Sequence, residues 1–346
     1  MIKYADVVIG LSYGDEGKGK VTNSLLKKNK NTNPLLKNGD YTHCVRFNGG
    51  HNAGHTIYKD GQKFVTHAIP TGVVQGIKSI IGPGCVVSNR LITEEIAELK
   101  KLGIQIKGNL FIDKRVNMIT GEHLYEDSAD RKIGTTKKGN GPAYRDKYAR
   151  KNMRFGDFSW EQEEYDICDI YEELFDEKEN KLLLEGAQAF GLDIDWGDYP
   201  FVTSSHCGTA GALLNGVPPN KLRNVYGVCK AYDTYVGNKK FEKEEPIFEK
   251  IREVGQEFGA TTGRPRQIDF LDLDFLVRSA RINGVTHLIV NKVDVLEEVN
   301  CWKVKVNNEL NDLGDKITFT RFVNYVMTNK VESIKQIFLS ESPEDI

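Results

Sequence analysis

Short, wholly apolar runs alternate with amphipathic stretches along this 346-residue chain. Val7-Val8-Ile9 runs into a glycine-rich turn, which predicts a buried strand feeding a loop. A helix is expected from about Lys20 to Lys27, followed by an exposed polar loop from Asn29 to Gly39. From Arg90 to Leu102, Leu91, Ile92, Ile96 and Leu99 recur at helical spacing. Ser88 or Asn89 can cap that helix and Gly103 can end it. Val331, Ile334 and Ile337 would share one face of a further helix from Asn329 to Phe338. Leu182-Leu183-Leu184 and Leu288-Ile289-Val290 are short runs bounded by polar residues, and they read as buried strands. Strands alternating with helices imply an α/β fold: a mostly parallel twisted central sheet, flanking helices, a P-loop-like phosphate loop and peripheral excursions. No repeat, linker or compositional break divides the chain, so residues 1–346 read as a single domain.

Charge narrows the function. With 47 basic and 49 acidic residues the net charge is -2, which carries no global signature of a nucleic-acid partner but allows a locally basic pocket. The six cysteines are scattered without a CxxC pair, so free thiols in a reducing compartment are expected rather than disulfides or zinc. The first ten residues are too short and too charged for a signal peptide. No apolar run approaches the ~20 residues that span a bilayer, so a cytoplasmic protein without a membrane partner is expected.

Four segments carry candidate chemistry. In Gly10-Leu-Ser-Tyr-Gly-Asp-Glu-Gly-Lys-Gly-Lys20, glycines after a strand let backbone N–H groups face a phosphate at a helix N-terminus. Gly14-x4-Gly19-Lys20 fits the first part of a P-loop, but Val21 stands where Ser or Thr would hold magnesium. Asp15 repels phosphate, so it suits a metal ligand or a base. The second segment, Phe47 to Thr56, holds three glycines, two histidines and two asparagines; that composition builds a site or a surface loop and not a core. The third, Asn291-Lys-Val-Asp294 after an apolar strand, fits guanine reading. Its carboxylate can accept from the N1–H and 2-amino donors, which adenine lacks. The fourth, Gly259 to Arg266, places two arginines after a Thr-Thr-Gly turn, suited to carboxylate or phosphate; alone it would read as a solvated basic loop.

Together these segments resemble the adenylosuccinate synthetase family. Gly14 to Lys20, Gly49-Gly-His-Asn-Ala-Gly-His-Thr56, Gly134-Thr-Thr136, Gly141-Pro-Ala-Tyr144 and Asp146-Lys-x-Ala-Arg150 match its motifs. So do Glu185-Gly-Ala-Gln188, Leu192-Asp-Ile-Asp195, Tyr199 to Ser205, Lys230-Ala-Tyr232, Glu257 to Arg264, Lys292-x-Asp-Val-Leu296 and Ser340-Glu-Ser-Pro343. The resemblance implies a ligase that uses GTP and Mg2+ to join L-aspartate to a purine nucleoside monophosphate through a 6-phosphoryl intermediate. It implies that Asp15 is the base and a magnesium ligand, that Gly54 offers its carbonyl to the metal, and that His55 is the acid. Gln188 would lie near the 6-oxygen and Lys18 would face the phosphates. Ser12, Asn52, Thr136, Arg150, Gln188, Thr203 and Arg264 would contact the purine nucleotide, Arg150 from the neighbouring subunit of a homodimer. Ala260, Thr261, Thr262, Gly263, Arg264 and Arg266 would bind aspartate. Gly14, Glu16, Gly17, Lys18, Gly19, Lys20, Gly54 and Thr56 would bind GTP, with Lys292, Asp294, Ser340 and Ser342 around the guanine.

The chain departs from the family pattern in four places. Ser12-Tyr13 replaces Gln-Trp, Lys138 stands where many members carry Arg, Pro265 interrupts the arginine run, and little separates Arg154 from Leu182. Short members resemble archaeal enzymes and phage relatives that condense aspartate with dGMP to make 2-aminoadenine nucleotides. Ser88 to Ile96 also looks phage-like, yet Asp15 and Asp294, which many phage members lack, are both present. The expectation is dGMP as substrate and N6-succino-2-amino-2'-deoxyadenylate as product. The alternatives are IMP as substrate and, from another class, a GTP-binding regulator that leaves Asp15, His55 and Gln188 idle.

Overall fold

The structure is a computed structural model that describes residues 1–27, 41–158, 164–259 and 263–342. The expected loop from Asn29 to Gly39 lies outside the described residues. Strands β1 (Ile2–Gly10), β2 (His43–Arg46), β3 (Lys78–Ile81), β4 (Leu110–Asp113) and β5 (Asp166–Cys168) are followed in the chain by β6 (Asn180–Glu185) and β7 (Leu222–Lys230). A second group is β8 (Tyr232–Tyr235), β9 (Gln267–Asp272), β10 (His287–Asn291), β11 (Lys303–Val306), β12 (Glu309–Asp312) and β13 (Gln336–Leu339). Nine of them form one sheet, in the order β13-β10-β7-β1-β6-β2-β3-β4-β5. Every neighbouring pair in it is parallel. The mostly parallel sheet expected from the sequence is thus parallel throughout these nine strands.

The continuous apolar runs follow from burial on both faces. Val7, Ile9, Leu182, Leu184, Leu288 and Val290 enter one core. The intervening Val8, Leu183 and Ile289 enter another, against Val21, Leu25 and Leu26 of helix α1 (Lys18–Leu26). Each such fully buried side chain contributes roughly 1.5–3 kcal/mol of hydrophobic stabilisation. Helix α2 (Asn89–Lys101) buries Ile92, Ile96 and Leu99, and Ser88 Oγ accepts the Leu91 N–H, as its spacing predicted.

One expected helix is corrected. Residues 329–338 do not form one: α-helix Lys316–Lys330 ends there, Val331 is extended at φ -126, and Gln336–Leu339 is the edge strand β13. Val331, Ile334 and Ile337 also suit a chain that drops from a helix onto a sheet edge. Pairing with β10 satisfies the backbone of Gln336–Leu339, Ile337 included, better than a helix end would.

Strand β1 lies between β6 and β7, so the chain leaves it toward both halves of the sheet. Loops at the C-terminal ends of parallel strands diverge at such a point and leave a crevice. A smaller four-stranded sheet, β8-β9-β11-β12, begins two residues beyond the end of β7 and forms one wall. Helix α3 (Ile247–Gly255) precedes β9, and α4 (Leu273–Asn283) follows it.

Candidate active site

Five loops at the C-terminal ends of β1, β2, β6, β7 and β10 carry most of the residues singled out in the sequence. The loop after β1 enters α1 through Gly17, whose φ of 93 lies in the left-handed region. A Cβ there would also stand 2.8 Å from Asn291 Nδ2, so glycine is required twice over. No side chain caps α1 at its N-terminus, which leaves its first N–H groups for an anion. Asn291 Nδ2 donates to Glu16 O at 2.6 Å and ties the phosphate loop to the turn after β10.

Glu16 is turned inward. Its carboxylate accepts from Gly14 N at 2.7 Å and from Lys18 Nζ at 2.5 Å, with both side chains buried. Lys20 Nζ reaches Ser340 Oγ at 2.5 Å and Ser342 O at 2.9 Å. Three residues that sequence assigned to GTP from opposite ends of the chain are thereby brought together. Lys292 has φ 67 at the start of helix Val293–Val299, and its Nζ donates to Gly255 O at 2.9 Å. Asp294 lies in that helix's first turn, half-buried.

His55 begins the hairpin strand His55–Lys59 and lies against α1: a Cβ at Gly19 would stand 2.6 Å from His55 Cβ. Its Nδ1 bonds Glu185 Oε1 at the end of β6. Glu185 is also held by Arg46 Nη2 at 3.2 Å, Thr71 Oγ1 at 2.6 Å and Thr71 N at 2.8 Å. Burial pushes the His55 imidazole down to about 4, and Arg46 adds to the push. Burial alone would raise Glu185, but Arg46 and His55 outweigh it and hold the carboxyl at about 2. The pair is therefore a neutral imidazole donating Nδ1–H to a carboxylate.

Gln188 follows β6 at φ 57, an unfavourable conformation for a non-glycine residue, and its buried Oε1 has no partner among the described residues. Reciprocal bonds between Asn48 and Ala187 clamp its loop to the one after β2 (Ala187 N to Asn48 Oδ1, 2.8 Å; Asn48 Nδ2 to Ala187 O, 3.0 Å). In that second loop Asn52 Oδ1 accepts from Asn140 Nδ2 at 3.0 Å. Gly54, Thr56, Thr136 and Thr203 are half-buried. Thr203 N donates to Leu192 O at 2.8 Å. Arg150, φ 61, is exposed just beyond helix Asn140–Tyr148.

Asp15, at φ 59, accepts from Arg266 Nε at 2.8 Å. Arg266 Nη1 binds the buried Glu257 at 2.5 Å, and Glu257 also accepts from Lys230 Nζ at 3.0 Å and Tyr232 OH at 2.6 Å. Burial would raise Glu257, but Lys230 and Arg266 hold it at about 2. Gly263 and Arg264 are exposed beside this network, and Ala260, Thr261 and Thr262 lie outside the described residues. Sequence reading gave Arg46, Glu185, Lys230, Tyr232 and Glu257 no role. Glu185 and Lys230 each end an apolar strand, and a charge at a strand's C-terminal end was the available signal.

At the other end of the loop, Tyr13 points into an aromatic nest. It stacks on Phe275 at 5.0 Å and meets Phe241 edge-on at 4.9 Å. Ser12 is 4% exposed, and its carbonyl accepts from Gly191 N at 2.8 Å.

An uncapped helix N-terminus, a carboxylate beside it and an Asn-Lys-x-Asp turn define a nucleotide-dependent enzyme of the phosphoryl-transfer kind. Residues 7–166 and 164–338 match the adenylosuccinate synthetase family profile. The chain is 38% identical to the adenylosuccinate synthetase of Bacteroides fragilis, over 95% of this chain and 86% of that one. It is likewise 38% identical to that of Helicobacter acinonychis, over 88% and 82%. The fully ligated adenylosuccinate synthetase of Plasmodium falciparum superposes with a TM-score of 0.77 at 26% identity, covering 99% of this chain and 98% of that one. The succinoaminodeoxyadenylate synthetase of cyanophage S-2L, solved with dGMP and dATP, shares the fold with a TM-score of 0.75 at 20% identity, over 99% and 94%.

The chain belongs to the adenylosuccinate synthetase family. It is a GTP- and Mg2+-dependent carbon–nitrogen ligase that joins aspartate to a purine nucleotide. The residues present fit both groups: the bare N-terminus of α1 suits phosphates, and the partly exposed Asp15 carboxylate suits a hard cation.

Proposed function

We propose that this ligase takes dGMP as its acceptor and forms N6-succino-2-amino-2'-deoxyadenylate. The observation that carries the reading is Ser12. Its short side chain stands at the inner end of the phosphate loop, while the neighbouring Tyr13 ring is drawn into the aromatic nest. In this reading the 2-amino group meets the short Ser12 side chain and its hydroxyl. A donor left unpaired there would cost about 1–3 kcal/mol. The homologues named adenylosuccinate synthetase favour the second reading, IMP as acceptor.

We assign Asp15 to remove the purine N1 proton, which drives charge onto the 6-oxygen. Arg266 orients Asp15 through Nε, and its Nη2, without a hydrogen bond among the described residues, would take the carboxylate of substrate aspartate. Gln188 Oε1 and Asn52 face the nucleotide. His55 gives Nδ1–H to Glu185, so it must gain a second proton before Nε2 can donate. Negative charge on the transferring phosphoryl group favours that protonation. Mg2+, when held by Asp15 and the Gly54 carbonyl, neutralises charge on the phosphates. Lys292 and Asp294 read guanine, Arg150 serves the partner's nucleotide in a homodimer, and the reaction is placed in the cytoplasm. The test is a substrate panel: dGMP, GMP and IMP with aspartate, Mg2+ and GTP or ATP. The expected result is the highest kcat/KM with dGMP and GTP; a preference for IMP overturns the dGMP reading.

A further inference from the structure

Glu257, just past the end of α3, is a fully buried acid to which the mechanism above gives no part. Three elements besides its own meet on its carboxylate. Lys230, the last residue of β7, donates to Oε2 at 3.0 Å. Tyr232, the first of β8, donates to Oε1 at 2.6 Å. Arg266, immediately before β9, donates from Nη1 to Oε2 at 2.5 Å.

The local backbone aims these groups at each other. Gln256 takes the left-handed conformation, φ 49, and turns the chain out of α3. A Cβ at Gly255 would stand 2.5 Å from the Tyr232 hydroxyl oxygen, so glycine there lets the hydroxyl approach. Arg266 is held by its main chain as well. Its N–H donates to Glu257 O at 2.9 Å, and its carbonyl accepts from Arg252 Nε at 3.0 Å. These bonds fix where Arg266 stands. They leave the direction of its long side chain to the carboxylates around it.

Engaged by three donors and shielded from solvent, Glu257 meets no substrate. Its effect is on how Arg266 divides its donors: Nη1 goes to Glu257 and Nε to Asp15, at 2.8 Å. A planar guanidinium that faces a single carboxylate closes on it with two parallel bonds. A carboxylate clamped in that way is a poor base, and fewer N–H groups are left for a second carboxylate. With Glu257 holding the Nη1 end, Asp15 receives one bond and its side chain stays 30% exposed. An Arg266 without this anchor would also have to be ordered when substrate binds, at a cost in side-chain entropy.

We propose that Glu257 is a positioning residue for the ligase reaction: by anchoring the Nη1 end of Arg266 it keeps the guanidinium from closing on Asp15 and presents its remaining N–H to the carboxylate of substrate aspartate. This role rests on the readings of Asp15 and Arg266 given above and is independent of which purine is the acceptor.

The test is steady-state kinetics of Glu257→Gln, Glu257→Asp, Arg266→Ala and the Glu257→Gln/Arg266→Ala double variant, with thermal melting of each. The acceptor nucleotide is the one that the wild type prefers in the panel above. In Glu257→Gln the KM for aspartate should rise roughly tenfold to hundredfold and kcat should fall, while the KM values for GTP and the acceptor stay within about threefold of wild type. Glu257→Asp keeps the charge but withdraws the carboxylate by one methylene. It should melt close to wild type and still show a raised aspartate KM. The double variant should have an aspartate KM no higher than Arg266→Ala, because Glu257 acts through that residue. A merely structural Glu257 would lower Tm and the active fraction, hence kcat, and leave every KM unchanged; that result overturns the proposal. If Glu257→Gln does not fold, Glu257→Asp decides: a folded protein with a wild-type aspartate KM overturns it. An aspartate KM unmoved in Arg266→Ala sinks the reading of Arg266 and the proposal with it. A raised KM there beside a normal one in folded Glu257→Gln sinks the proposal alone.

Discussion

His55 and Glu185 share a buried hydrogen bond whose two members titrate in different ranges, and this fixes a pH signature. In the unfolded chain His55 takes up its proton near 6.5, whereas in the folded protein it resists until about 4. The unfolded state therefore binds more protons between these values, and stability falls as pH falls through that window. Glu185 adds a second loss as pH drops from about 4.5 toward 2, its folded value. His43 and His51 are depressed in the same sense, to about 4 and about 3. The expected outcome in a melting series is a fall in Tm below neutrality, opposed in part by Asp233, whose carboxyl is pushed up to about 7 by burial and which therefore favours folding as pH drops. His55→Asn should flatten the upper part of that fall by about 3 kcal/mol at most. An unchanged slope would mean that His55 is already charged in the folded protein. A second residue-scale prediction concerns Asp15. Removing a positioned base commonly costs ~10²–10⁴ in rate, so Asp15→Ala should fold normally and lose turnover by that order. Single-turnover rates would expose an Asp15→Ala protein that still works.

For the elements, the critical join is between β1 and α1. Gly17 combines a left-handed backbone with contact against Asn291, so Gly17→Ala must strain the turn and push the β10 turn away. We expect a destabilisation of roughly 1–2 kcal/mol. The Michaelis constant for GTP should rise at least tenfold, because the first N–H groups of α1 lose their aim. Calorimetry and GTP titration read the two effects separately; an intact GTP affinity would place the phosphates elsewhere. The strands were legible because burial on both faces makes their runs apolar throughout, as in Leu182-Leu183-Leu184. The helix predicted at 329–338 failed because a spacing of three over so short a stretch fits a helix, and only β10 alongside makes residues 336–339 a strand.

Across the whole molecule, residues near the two ends of the chain meet where Lys20 reaches Ser340 and Ser342, so the GTP site proposed there exists only in the finished fold. Asp294→Asn should lower kcat/KM for GTP at least tenfold and shift preference toward xanthosine triphosphate, since an amide presents a donor where the carboxylate only accepted. Equal use of ATP and GTP by the wild type would remove guanine reading from Asp294. The exposed, left-handed Arg150 leads to a test of assembly. In a homodimer where each site takes Arg150 from its partner, Arg150→Leu and Asp15→Ala proteins should each be nearly inactive. Mixed and exchanged, they should regain activity, because one site of the mixed dimer is intact. Failure of a confirmed mixed dimer to recover would confine each site to one subunit.

The sequence by itself determined the class of fold and the ligase family, and it singled out the glycine-rich loop and the Asn-Lys-x-Asp turn as candidates. Those features are local: strand burial, glycine conformation and motif spacing are written within a few residues of each other. Only the tertiary structure decided the partners of the charged groups. Glu185 and His55 are 130 residues apart, and Arg266 and Asp15 are 251 apart. Glu16, predicted to serve GTP, turned inward to Lys18 because a buried ammonium needs a counter-charge at hand. The Ser12-Tyr13 pair looked like one substitution in sequence. In the fold Tyr13 is drawn into aromatic packing against Phe275 and Phe241, while Ser12 is almost wholly buried at the inner end of the loop.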